Sequence, residues 1–89
     1  MESKLQRKII QDLELSGWEV NKVMKSNKAG WPDLEAFRNK ITVFIETKSK
    51  GKKANPLQKY QHRKLEAQGF QVFVTDTWEC YMQIKYNNL

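Results

Sequence analysis

Twelve residues separate Pro32-Asp33 from Glu46-Thr47-Lys48, and they constrain the fold more than any other stretch of this chain. Leu34 to Phe37 reads as a short strand and Asn39-Lys40 as a tight turn. Ile41, Val43 and Ile45 then alternate with Thr42, Phe44 and Glu46. Both faces of that second strand are apolar over most of its length, which predicts a central place in a sheet. A hairpin of this length returns the chain to roughly where Asp33 began. Pro32 fixes its own φ and pushes Trp31 out of the helical region, so Asp33 enters its strand at a defined angle. Strand alternation puts Glu46 and Lys48 on one face and Thr47 on the other. The expected product is two carboxylates and one ammonium converging at the end of a hairpin.

The flanking segments supply the other layers. Leu5, Ile9 and Leu13 recur every four residues and predict a helix over 3–16, stopped by Gly17. Trp18, Val20 and the Val23-Met24 pair suggest a strand, and 25–30 a polar loop. Asn55-Pro56 is a helix start, with Asn as cap and Pro in the first turn; the helix runs to about Gln68 and stops at Gly69. Phe70 to Val74 is a strand, and Thr77 caps a last helix. The order is α-β-β-β-α-β-α, an α/β arrangement with a mixed sheet. Eighty-nine residues make one domain, 1–89, and a chain this short buries only about 60–65% of its unfolded surface. Its core is therefore thin.

The net charge of +6 is concentrated. Lys48, Lys50, Lys52, Lys53, Lys59, Arg63 and Lys64 fall in one window, and no acid lies between Glu46 and Glu66. Elsewhere nine basic residues face ten acidic ones. A patch of this kind suggests a polyanion, most simply nucleic acid, against the plainer reading of a solvated face. Lys50, Lys52, Lys53 and Lys59 are the expected phosphate contacts, with Lys25 and Lys28 in the loop before Asp33. No segment resembles a base-reading recognition helix, so sequence-independent binding is expected. The single Cys80 excludes an internal disulfide and a Cys-based zinc site and fits a reducing compartment. No apolar run is long enough to span a bilayer, and no signal-peptide core follows Met1, so a cytoplasmic location and no membrane partner are expected.

Carboxylates and a backbone carbonyl are hard oxygen ligands of the kind magnesium takes while keeping several waters. Asp33, Glu46 and the carbonyl of Thr47 are the candidate set, completed by substrate phosphate. Lys48 would hold the attacking water or stabilise charge on the phosphate, or act as base if its surroundings strip its proton. Each element alone is commonplace: Glu-x-Lys on a strand is usually a surface pair, and Pro-Asp a turn signal. Their combination on a hairpin, with a basic window starting at Lys48, is the informative feature.

Pro32-Asp33 with Glu46-Thr47-Lys48 resembles the signature of the PD-(D/E)XK nucleases. The wider chain resembles one branch of them, the VRR-NUC (viral-type replication-repair nuclease) domain. The resemblance runs through Glu2-x-x-Leu5-Gln6, Gly17-Trp18, Gly30-x-Pro32-Asp33 and Phe44 to Lys48. It continues in Gly51-Lys52, Pro56-Leu57-Gln58, His62, Leu65 and Gly69-Phe70-x-Val72. It implies a restriction-endonuclease-like core, a mixed central β-sheet flanked by helices. It also implies cleavage of DNA with Mg2+ or Mn2+ and no small-molecule cofactor. Asp33 and Glu46 would be metal ligands, Lys48 the catalytic lysine, Glu2 an acid contributed by the first helix, and Gln58 a residue lining the site. His62 reads as a surface or DNA-backbone contact and stays outside the site. Small stand-alone members are implied to work as homodimers on four-way junctions, Holliday junctions included. Flaps, ends, nicked duplex or a non-catalytic binding role are the alternatives. A phage protein acting in the host cytoplasm fits. Trp78, Tyr81, Met82 and Tyr86 are candidates for a dimer contact, with packing of the last helix the favoured reading.

Overall fold

The computed structural model describes residues 3–89. The elements are α1 (Lys4–Leu15), β1 (Glu19–Lys22), β2 (Leu34–Arg38), β3 (Ile41–Thr47), α2 (Pro56–Ala67), β4 (Gln71–Thr75) and α3 (Trp78–Asn88), in the expected order. The sheet runs β1-β2-β3-β4. β1–β2 and β2–β3 are antiparallel, and β3–β4 is parallel, with α2 as the crossover that parallel strands need. β3 pairs on both sides, as its two apolar faces predict. Asn39 and Lys40 have φ of 51° and 67°, the two left-handed residues of a hairpin turn whose twist matches the strands.

That turn fixes the register, and the register places the site. Leu34 pairs with Ile45, so Asp33 and Glu46 come next, facing each other across the ladder end. One face of the sheet presents Leu34, Ala36, Val43 and Ile45, which are buried with Ile9 and Leu13 of α1, Trp18, and Tyr81 of α3. This is the main core. Glu46 alternates to the other face, against α2. Most of the apolar burial therefore lies on one side of the sheet, and the chemistry-bearing groups lie on the other.

α1 and α3 are tied by more than apolar contact. The buried Tyr81 hydroxyl donates to Asp12 at 2.6 Å, and Lys85 Nζ donates to the same oxygen at 2.7 Å. Burial raises the Asp12 carboxyl, but the hydrogen bonds from Lys85 and Tyr81 outweigh it and hold the group below its usual range. Trp78 is partly buried on the core and Tyr81 fully buried, whereas Met82 is 40% and Tyr86 90% exposed. The four last-helix candidates thus divide, two into the core and two onto the surface.

β1 is shorter than its apolar residues suggested. Trp18 turns into the core ahead of it, and Val23 lies beyond it, its N–H bonded to the Asp33 carbonyl at 2.8 Å. Gly30 has φ +85°, and a Cβ there would meet the Leu57 backbone at 2.8 Å. The loop before Asp33 therefore rests directly on the first turn of α2, an approach that only glycine allows. Gly30→Ala is expected to lose about 1–3 kcal/mol of stability through strain and this clash. Urea denaturation checks it, and an unchanged midpoint would mean that the contact is not held.

Candidate active site

Asp33, Glu46, Lys48 and Gln58 come together where the ends of β2 and β3 meet the start of α2. Gln58 is the joint. It is the third residue of α2 and half of a capping box: Asn55 Oδ1 accepts from the Gln58 N–H at 2.8 Å, and Gln58 Oε1 accepts from the Asn55 N–H at 2.9 Å. The same Oε1 accepts from Lys48 Nζ at 3.2 Å, and Gln58 Nε2 donates to Glu46 Oε2 at 3.2 Å. Two donors converge on Oε1, so the amide can point only one way. One helix cap thus fixes the acid and the ammonium together.

Thr47 holds the other carboxylate. Its N–H and its hydroxyl both donate to Asp33 Oδ2, at 3.0 and 2.9 Å. Thr47 Oγ1 in turn accepts from Gln6 Nε2 of α1 at 2.9 Å. As alternation requires, Thr47 faces α1 while Glu46 and Lys48 face α2. Glu46 is 2% exposed, and its Oε1 has no hydrogen-bond partner. Burial, then the charge of Asp33 beside it and a hydrogen bond shared with that carboxyl, push Glu46 up to about 8; Lys48 pulls the other way. A second carboxylate facing a buried one is costly unless a proton or a cation lies between them.

The lysines fall into two groups around this centre. Lys48 and Lys50 line a cleft of about 440 Å³ with Asp33, Thr47 and Gln6. Lys25 and Lys28 line another cleft that also reaches Asp33. Lys52, Lys53 and Lys59 instead border a separate cleft of about 410 Å³ with His62 and Asp76. Asp76 lies outside the acid-free window in sequence, yet it accepts from the Gly51 N–H at 2.9 Å and joins the basic region in space. Glu2 lies outside the described residues.

His62 corrects the reading made from sequence. It is 7% exposed, and its Nε2 lies 3.7 Å from Glu46 Oε1, each atom without a hydrogen-bond partner. Burial lowers its basicity, against the charges of Glu66 and Asp33. The four-residue spacing already puts His62 on the face of Gln58; the apolar Leu65 three residues further on marks that face as the inner one of α2. Gln6 was missed similarly. It shares the buried stripe with Ile9 and Leu13, a polar residue where the helix should be apolar.

Among the described residues no three His, Cys, Asp or Glu side chains form a ready metal cluster. Two carboxylates with an unpartnered buried oxygen nonetheless suit a hard divalent ion, which typically takes only one or two protein carboxylates.

The elements follow the order of a mixed α/β domain, with an acid pair at the hairpin end. The solved structure of a VRR_NUC domain superposes with a TM-score of 0.89 over 99% of this chain and 97% of that one, at 23% identity. No protein-family model matches the chain. It is 31% identical over 77 residues to "Putative nuclease p44" of Acyrthosiphon pisum secondary endosymbiont phage 1, covering 85% of this chain and 83% of that protein. The chain belongs to the VRR-NUC nuclease family. No described helix is long and apolar enough to cross a membrane.

The raised Glu46 gives a signed prediction for the metal-free protein. A carboxyl that titrates near 4.5 unfolded and near 8 folded favours the folded state fully below about 4.5. That contribution is withdrawn as pH rises and is gone above about 8. Glu46→Gln should therefore melt above wild type in EDTA, with a gap that widens between pH 5 and 8. A gap independent of pH would show that Glu46 is not so perturbed.

Proposed function

We propose that this chain is a divalent-metal-dependent DNA endonuclease, with Asp33 and Glu46 as metal ligands and Lys48 as the catalytic lysine. The observation that carries the reading is the pair of adjoining carboxylates, one buried with an unpartnered oxygen, at the meeting point of lysine-lined clefts. Two acids beside a polyanion site repel phosphate unless a cation intervenes. Asp33, Glu46 and the Thr47 carbonyl would hold Mg2+ or Mn2+, which would supply charge neutralisation at the phosphate and make a nearby water more acidic.

The remaining roles belong to the chain. Lys48 Nζ, held by Gln58 Oε1, is placed to orient the attacking water or to stabilise charge on the phosphate as it becomes pentacovalent. Gln58 positions Glu46 and Lys48 at once. Thr47 holds Asp33 in place by giving it two hydrogen bonds. Lys25, Lys28, Lys50, Lys52, Lys53 and Lys59 bind the phosphate backbone without reading bases. The substrate in this reading is branched DNA, with the four-way junction first, cut by a homodimer. Met82 and Tyr86 of α3 are exposed and would supply apolar contact between the copies.

Labelled junction, flap and linear duplex incubated with magnesium, manganese or EDTA provide the test. Wild type should cut only with a metal and prefer the branched forms. Asp33→Ala and Lys48→Ala should each lose on the order of 10² or more in rate while retaining much of the binding. Cutting that persists in both variants would remove this site. Sedimentation should show a dimer at micromolar concentration; a monomer would contradict paired cleavage. If about five phosphates are engaged, log K should fall with log salt at a slope near −4 to −5. A flat salt response would remove the lysine clefts as the binding surface.

A further inference from the structure

Met24 is 80% exposed on a rim otherwise carrying Lys22, Lys25 and Lys28. A single exposed methionine is ordinary on a protein surface. The position of this one is not. Met24 lines both of the clefts beside β1 that reach Asp33, and also a cleft of about 550 Å³ between the end of β1 and the loop that follows it. The outer cleft shares Val23, Met24, Lys25, Ser26 and Trp31 with the cleft at Asp33, so the two lie side by side. Met24 stands at their junction.

The walls are fixed. Glu35 is the one acid lining the outer cleft, and both of its oxygens are engaged: Oε2 accepts from Trp31 Nε1 and Oε1 from Asn21 Nδ2, each at 3.0 Å. Its charge is partly satisfied from within. Trp31 also packs edge-on against Phe44, with ring centroids 5.7 Å apart. The loop is pinned at one end by the bond from Val23 N–H to the Asp33 carbonyl, and at the other by Gly30 against α2. Ser26 Oγ accepts from the Lys28 N–H at 3.0 Å between them. Met24 is thus mounted on a frame tied to Asp33 itself.

The chemistry of this surface is that of a nucleotide. Lys25 and Lys28 suit phosphate, Ser26 and Asn27 suit the polar edge of a base, and Met24 offers an apolar contact to its face. Methionine is among the apolar residues that proteins insert against unstacked bases. A base paired within a duplex must break its stack to enter such a cleft, whereas an unpaired one pays far less. We infer that the cleft at the end of β1 is a subsite for one unpaired nucleotide flanking the phosphate at Asp33 and Glu46, its base packed on Met24. The inference rests on the nuclease reading above and, among its branched substrates, favours the flap, with an unpaired nucleotide beside the cut, over the fully paired four-way junction.

The test uses the full chain, with calcium in place of magnesium so that binding is read without cutting. The probe is a duplex bearing a three-nucleotide flap, with 2-aminopurine at the first unpaired position, compared with the same duplex fully paired. Wild type should bind the flap about fivefold tighter and brighten the probe, since packing on Met24 separates the base from its neighbours; fivefold matches the low end for stacking one base on an aromatic side chain. Met24→Ala, at an exposed position that does not threaten folding, should lose most of both effects, and Met24→Leu should keep them. Equal preference and equal brightening in wild type and Met24→Ala would overturn the subsite. So would a probe that wild type leaves unchanged. A parallel magnesium assay separates the two readings. Brightening that depends on Met24, without cutting, would sink the nuclease and keep the subsite; cutting without brightening would do the reverse.

Discussion

A buried carboxyl facing a second carboxylate is the constraint on which this structure turns. Glu46 is shielded from water, has one oxygen without a partner, and looks across the ladder end at Asp33. The arrangement persists because its surroundings determine it several times over. The two-residue turn sets the register, Thr47 grips Asp33, and Gln58 grips Glu46. The stability that sustains it comes from elsewhere, chiefly the apolar face shared with α1 and α3.

The role of Gln58 shows how local structure and chemistry are joined. A capping box is ordinarily a way to satisfy free N–H groups at a helix start. Here its side chain also accepts from Lys48 and donates to Glu46. The start of α2 cannot shift without moving both, and Gly30 packs the loop before Asp33 onto that same turn. Two segments distant in sequence, the end of β3 and the loop before Asp33, are locked to one helix end. This gives a small domain with a thin core the rigidity that precise chemistry demands.

Much of this was legible in the sequence. The hairpin spacing, the Asn-Pro helix start and the alternation in β3 are local patterns, and local patterns survive folding. What escaped was what the tertiary arrangement adds. His62 looked like a surface residue because a lone histidine usually is; only its place on the inner face of α2 betrays it. Gln6 was hidden in the same way, as a polar residue within a buried stripe. Asp76 entered the basic region from beyond the window in which charge was counted, and Lys52, Lys53 and Lys59 fell around a separate cleft from the one at Asp33. Charge runs are read along the chain, but fields act through space.

The central claim is that the Asp33–Glu46 pair exists to hold a divalent cation. Titration of manganese into the metal-free protein at pH 8, followed by water-proton relaxation, tests it most directly. The account predicts saturable uptake by wild type and its loss in Glu46→Gln, which is expected to melt above wild type. Equal uptake by the two proteins, or none by either, would contradict it.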